Sequence, residues 1–265
     1  VKRPFIVHPL RIVIEMIIFI LFEIFRPNSK VYNISLNIKK RKQRIFIALA
    51  LGLNLLVLAG ISISTFPTRN LGNGGWLPDT EYEELTDALI DGHFYLNIEP
   101  TKALENIDNP YDPQLRSKAL AETGETYYVD HAYYKGKYYC YFGALPALSL
   151  FVPFKLITGH DLRTDYAVAL MTVFFVLAAV FFLYSFMKKY IKPSFGLFLV
   201  SLLLLVTGSG VLTQAFYPMI YSLPILFSLV LTLTGLGLWI NARKDAGELS
   251  KLHLLIGAIC IALNL

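Results

Sequence analysis

One acidic residue, Asp79, sits where a carboxylate could take a proton from an attacking hydroxyl. Asp79 and Glu81 lie in Gly74-Gly75-Trp76-Leu77-Pro78-Asp79-Thr80-Glu81-Tyr82-Glu83. Thr80 with Glu83 three residues on has the pattern of a capping box, so a helix is expected from about 81 to 91. Tyr82, Leu85 and Leu89 form its apolar stripe, and Gly92 stops it. A carboxylate just before a helix is favoured as the anion by the helix N-terminus. It becomes a general base if a substrate hydroxyl reaches it. The plainer alternative is that Asp79 only assists capping.

A second group of polar side chains follows. His93 stands in Asp91-Gly92-His93-Phe94-Tyr95-Leu96, and Asp130 opens the run Asp130 to Pro146. In that run Tyr133, Tyr134, Lys135, Lys137, Tyr138 and Tyr139 surround Gly136, which reads as a small hairpin with aromatics on both faces. Tyrosine offers an apolar face and a polar tip, so such a surface suits either a sugar or a membrane interface. Lys135 and Lys137 could meet a lipid phosphate by charge, or simply be solvated turn residues. Asp108-Asn109-Pro110-Tyr111-Asp112-Pro113 reads as turn punctuation. No His-x-x-x-His or Glu-x-x-His pair exists, so a divalent metal has no positive support and no cofactor is expected.

The elements that must hold these residues are membrane helices. Of 265 residues, 55% are hydrophobic and 16% charged, too few charges for an ordinary soluble domain and too apolar for disorder. Two cysteines, Cys140 and Cys260, exclude a disulfide framework. The fold class expected is an all-α polytopic membrane protein. It has about five transmembrane helices and a large mixed outside loop with short interfacial helices.

The expected domains are a cytoplasmic segment 1–44 with an interfacial helix, a first span 45–66, an extracytoplasmic segment 67–163, and further spans over 164–265. Within the last, apolar runs cover 165–187, roughly 195–214 and 217–240, and a fifth starts at Leu252. The run 141–158, broken by Pro146 and Pro153, is expected not to cross. Residues 5–25 read as an interfacial helix, or alternatively as a span with an outside N-terminus. They lack a small-residue cleavage site, so no cleavable signal is expected there. The chain starts at Val1 and stops inside an apolar run, which suggests a piece of a longer protein cut in mid-helix.

Basic residues orient the spans. Lys39, Lys40, Arg41, Lys42 and Arg44 precede the first; Lys188, Lys189 and Lys192 follow the second; Arg243, Lys244 and Lys251 follow the fourth. All three groups fall inside the cell if 141–158 does not cross. Residues 67–140 carry 13 acidic and six basic side chains, a net −7 against +12 for the rest. The excess of positive charge overall, +5, therefore points to cytoplasmic loops and not to nucleic acid.

In this arrangement the chain resembles the GT-C superfamily of membrane glycosyltransferases, which includes protein O-mannosyltransferases and lipid A aminoarabinose transferases. The likeness covers roughly residues 45–265. Its carriers are the first span followed by a large outside segment with an early acidic residue. The stretches 91–96, 109–113, 133–139, Tyr141 to Pro146 and Pro153 to Gly159 belong to the same likeness. The resemblance implies transfer of a sugar from a polyprenyl-phosphate donor to an extracytoplasmic acceptor, at a bacterial plasma membrane. It implies Asp79 as the catalytic base, with Glu81 second, and Arg69, Lys135 and Lys137 as cations for the leaving phosphate. His93, Asp130, Tyr133 and Tyr134 are the further substrate-binding candidates. The competing expectation is a non-catalytic component of cell-surface polysaccharide assembly or export. A transporter is disfavoured, because the spans carry few charges.

Overall fold

The computed structural model describes residues 9–70, 80–125, 130–191, 194–243 and 247–264. The elements are α1 (Pro9–Phe25), α2 (Arg41–Asn70), α3 (Glu81–Ile90), α4 (Lys102–Glu105) and α5 (Pro113–Thr123). A hairpin follows, β1 (Ala132–Tyr134) and β2 (Lys137–Tyr139), then a π-helical turn Ala147–Phe151 that runs into α6 (Val152–Thr158). The chain continues with α7 (Thr164–Tyr190), α8 (Phe195–Gly208), α9 (Val211–Phe216), α10 (Ser222–Ala242) and α11 (Lys251–Ala262).

Among the described residues, three helical stretches are long and apolar enough to cross a membrane: Arg41–Gly60, Thr164–Tyr190 and Ser222–Ala242. The apolar helix Ala147–Thr158 has 12 residues, or about 18 Å at 1.5 Å per residue, well short of the ~30 Å hydrocarbon core. The run expected as one span over 195–214 is interrupted. Helix α8 ends at Gly208, Gly210 takes φ +82°, and α9 starts at Val211. A left-handed residue cannot continue a right-handed helix, and glycine adopts it without a Cβ clash. The polar groups beside the break bond locally: Thr207 donates to the Leu203 carbonyl (2.8 Å) and Ser209 to that of Val206 (3.1 Å).

The chain divides into two compact units. The first comprises 1–57, 173–212 and 229–265; the second comprises 58–172 and 213–228. In the first unit, α7 and α10 run parallel. Phe181 packs where a Cβ on Gly237 would stand, and one turn further Asn241 donates to Ser185 Oγ (2.6 Å). Helix α11 returns antiparallel to α10. Gly235 and Gly257 let the backbones approach, Trp239 Nε1 donates to the Leu254 carbonyl (3.2 Å), and Asn264 donates to Thr232 (3.0 Å). Small residues and amide or hydroxyl bonds are what hold helices together where lipid gives no hydrophobic drive.

The starts of α2 and α8 also meet in this unit. Phe46 and Phe195 touch edge to face at 5.6 Å, and Phe195 N donates to the Ile34 carbonyl (2.8 Å). Gly196 is required here, since a Cβ would lie 2.8 Å from the Tyr32 Cα. Lys189, at the end of α7, donates to the Arg243 carbonyl at the end of α10. The basic residues of 39–44, 188–189, 243 and 251 thus gather at one end of the unit.

The second unit is built around α3. Tyr82, Leu85 and Ala88 are buried, and Tyr82 stacks on Phe151 of the π-helical turn at 5.6 Å. Thr80 stands at the N-cap, but the expected capping box does not form. Its hydroxyl donates to Glu84 Oε1 (3.0 Å), and no side-chain cap bond reaches the helix backbone. Helix α5 is capped by Asp112, which accepts from Gln114 N (2.8 Å) and Leu115 N (3.2 Å), with Pro113 in its first turn.

Candidate functional site

The hairpin sets the site. Its register pairs Tyr133 with Tyr138 and Tyr134 with Lys137, leaving Lys135-Gly136 as a two-residue turn. Both turn residues have positive φ, +49° and +73°, as a type I′ turn requires. Side chains alternate along a strand, so His131, Tyr133 and the opposed Tyr138 share one face. That face lines a pocket of about 320 Å³ completed by Leu104, Pro110, Tyr111, Arg116 and Ala132. The Tyr133 and Tyr138 rings lie 5.4 Å apart, and His131 meets Tyr138 edge-on at 6.1 Å. Leu96 N donates to the Tyr138 carbonyl (2.8 Å), which ties the hairpin to the segment after α3. Arg116, on the first turns of α5, also donates to the Pro110 carbonyl (3.3 Å).

Beside the pocket lies a group of acids, with Glu81 buried, Glu84 half-buried and Asp130 exposed. Glu81 is only 3% exposed, and neither carboxyl oxygen accepts a hydrogen bond of ordinary geometry. Burial raises its pKa, and the nearby charges of Glu84 and Asp130 add to that. His131 and the weak donor Cys140 act in the opposite sense. Burial also raises Glu84, against the Thr80 hydrogen bond and His131. The Cys140 thiol is pushed up by burial and by Glu81. Asp130 accepts a hydrogen bond from the Tyr221 hydroxyl, which pushes that phenol up to about 12. Asp130 itself has φ +61°, a left-handed conformation that Asp tolerates better than most residues.

A second charged cluster joins α3 to α6. Lys155 pairs with Asp87 and with Asp161 (2.7 Å), and Arg163 grips the buried Asp165 through two nitrogens (3.1 and 2.9 Å). Glu83 faces this cluster. Burial, then Asp161 and Glu84, push it up to about 7, with Lys155 and Arg163 opposing.

The expected site residues fall in different places. Tyr133 lines the pocket, and the buried Glu81 and the exposed Asp130 belong to the acidic group beside it. His93 is stacked on Tyr95 at 3.8 Å, and its Nδ1 lies 2.8 Å from the Tyr95 carbonyl, so it shapes the turn after α3. Tyr134 is exposed beneath Lys135, whose Nζ sits 5.1 Å from the ring centre. Lys137 lies over the Tyr95 ring at 3.2 Å. Neither turn lysine lines the pocket. Arg69 falls in α2, and Asp79 lies outside the described residues.

His131, Arg116, Tyr111 and Tyr138 were not singled out from the sequence. The alternation of the hairpin contained the signal for His131 and Tyr138, once the turn is placed at Lys135-Gly136. Arg116 and Tyr111 come from a segment distant in sequence and carry no comparable local signal. Among the described residues, no group of three His, Cys, Asp or Glu side chains is placed to hold a metal ion. Comparison with protein-family models, curated proteins and solved structures found no match.

Proposed function

We propose that the protein is a membrane glycosyltransferase, moving a sugar from a polyprenyl-phosphate donor to an acceptor outside the plasma membrane. The observation that carries this reading is the pocket. Three tyrosines, a histidine and an arginine converge on one concave surface, beside a buried, poorly solvated carboxyl. Tyrosine rings suit the apolar face of a sugar, and a guanidinium suits a phosphate.

The layout of the helices supports an outward-facing pocket. In our reading α2 leads out, α7 in, α8 with α9 out, α10 in and α11 out, while Ala147–Thr158 lies in the interface. The parallel course of α7 and α10 requires a returning crossing between them. Gathering the basic ends at one end of the first unit agrees with their lying in the cytoplasm. Within the second unit Tyr221, in the loop before α10, bonds Asp130 and meets Phe142 edge-on at 4.9 Å, so this loop belongs with the acidic segment.

The test uses the full-length protein in native membranes and labelled polyprenyl-phosphate sugars. Release of polyprenyl phosphate is expected from the wild type, and loss of release from Tyr133→Ala, which removes a pocket wall. Asp79→Asn and Glu81→Gln separate the two carboxylates proposed to serve the acceptor. No release from the wild type with any donor sinks the transferase reading.

A further inference from the structure

Lys135 and Lys137 have no part in the pocket, yet the fold holds both of them in place. The hairpin register fixes their side. Tyr134 stands opposite Lys137 and Ala132 opposite Tyr139, so Tyr134, Lys137 and Tyr139 share the face turned away from Tyr133 and Tyr138. Tyr95 pairs with Tyr139 along the other edge of β2 and adds a third tyrosine to this outer face. Lys137 Nζ lies 3.2 Å from the Tyr95 ring centre, and Lys135 Nζ lies 5.1 Å from that of Tyr134. Both are within the range of cation–π attraction.

Neither lysine has an acidic partner among the described residues, although residues 67–140 carry 13 acids against six bases. In the same unit Lys118 pairs with Glu122, Lys155 with Asp87 and Asp161, and Arg163 with Asp165. Asp91, on the segment that leads to Tyr95, accepts from Asn97 instead (3.2 Å). Both lysines are exposed, as is Tyr134 at 53%. An exposed ammonium resting on a tyrosine ring keeps its charge for an anion from outside.

The bilayer surface is within reach. Asp130 and Phe142 flank the hairpin, and both meet Tyr221, which directly precedes the membrane-length helix α10. The strand from Asp130 to Lys135, at about 3.4 Å per residue, puts the turn within about 17 Å of that anchor. Attraction between exposed charges fades beyond about 8 Å at physiological salt. The lysines therefore feel the headgroups when the hairpin lies along the surface with its outer face down. Tyrosines suit that layer. A glycan suits the face less well. His93 stacks parallel on Tyr95 at 3.8 Å, so it and Lys137 take the two sides of that ring, and Lys135 lies over Tyr134. These rings do not offer an open platform to a sugar.

We propose that Lys135 and Lys137 dock the outer face of the hairpin onto anionic phospholipid headgroups. Docking through this face leaves the opposite face, with the pocket, clear of the bilayer. Each lysine near a negative surface favours the docked state by about fivefold, and the two together by about 30-fold.

The test uses the full chain in nanodiscs of phosphatidylcholine, alone or mixed with phosphatidylglycerol. A nitroxide is attached at Tyr134→Cys, and wild type treated in parallel sets the background from Cys140 and Cys260. With phosphatidylglycerol, collisions of the label with oxygen should rise and those with a water-soluble nickel chelate should fall. Lys135→Gln combined with Lys137→Gln should abolish the difference. Equal collisions in the two kinds of disc overturn the proposal, and so does a lipid dependence that survives the double substitution.

Should the labelled variant not fold, acetylation of unlabelled wild type, read by mass spectrometry, decides the matter. Relative to Lys118, Lys135 and Lys137 should react about fivefold more slowly, or slower still, when phosphatidylglycerol is present. Unchanged rates overturn the docking. Protection by a soluble oligogalacturonate, with no effect of phosphatidylglycerol, overturns it in favour of a glycan-binding face. None of these readouts uses sugar transfer, so the docking and the transferase reading stand or fall separately.

Discussion

Replacing Glu83 by glutamine should remove most of one pH dependence from the stability of the second unit. Glu83 projects from α3 toward Asp161, near Glu84, and its pKa rises from 4.5 to about 7, first through burial. A rise of that size corresponds to about 3 kcal/mol at 1.36 kcal/mol per unit. Glu83 is only part-buried, and solvent screening leaves about 1–2 kcal/mol as the expected effect. The sign follows from proton binding. The folded state holds the proton more tightly than the unfolded chain, so this contribution is complete below pH 4.5. It is lost as pH rises through about 7. Glu81 and Glu84 are raised too and act in the same direction, so wild type should weaken by more than this one residue accounts for. The difference between wild type and Glu83→Gln isolates it. Hydrogen exchange of the α3 amides, in nanodiscs at pH 5, 6, 7 and 8, reads the local stability. The wild-type advantage should shrink by about 1–2 kcal/mol between pH 5 and 8. Parallel curves for the two proteins would refute the reasoning.

Other substitutions probe the frame that holds the site. Lys155→Met removes the shared partner of Asp87 and Asp161. It should cost about 1 kcal/mol in thermal unfolding at pH 7 and raise the Glu83 pKa further. Gly196→Ala should cost about 1–3 kcal/mol, because the new Cβ meets the Tyr32 backbone at 2.8 Å, and backbone yields little. Gly52→Ala, where a Cβ meets nothing within 4 Å, is the control and should be neutral or stabilising by about 0.5–1 kcal/mol. The crossing pattern is checked with single cysteines: Lys188→Cys and Lys251→Cys should react with an impermeant maleimide only from the cytoplasmic side, and Tyr111→Cys only from outside. Labelling of Lys188→Cys from outside would overturn the five-crossing arrangement.

Local chemistry was readable wherever it depended on neighbours in sequence. The Lys135-Gly136 turn and its two tyrosine-rich strands follow from the need for two positive φ values between alternating aromatics. Helix α3 and its Tyr82–Leu85–Leu89 stripe follow from the 3.6-residue period, whereas 108–113 reads as turns and the helix α5 that Asp112 caps was not expected. The capping box failed because Thr80 finds a carboxylate in Glu84, a competing acceptor one helical turn on. Gly208 and Gly210 mark a close-packed or kinked region in the sequence, and only the backbone angle tells a tolerated glycine from the break that Gly210 makes.

By itself the sequence determined that apolar helices of membrane length exist and where they lie, because length and hydropathy belong to a window of chain and not to its surroundings. It also placed the acidic, tyrosine-rich segment between the first two of them. Tertiary structure decided which of thirteen acids in that segment matter. Asp112 is spent on a helix cap, Asp87 on Lys155, and Glu81 is buried. Among the expected binding residues, His93 stacks on Tyr95, Lys137 lies over the Tyr95 ring and Lys135 over that of Tyr134. Nothing in residue type or spacing distinguishes these fates. A carboxyl or an imidazole acquires its chemistry from desolvation and from charges brought near by distant chain, and those are properties of the folded molecule alone.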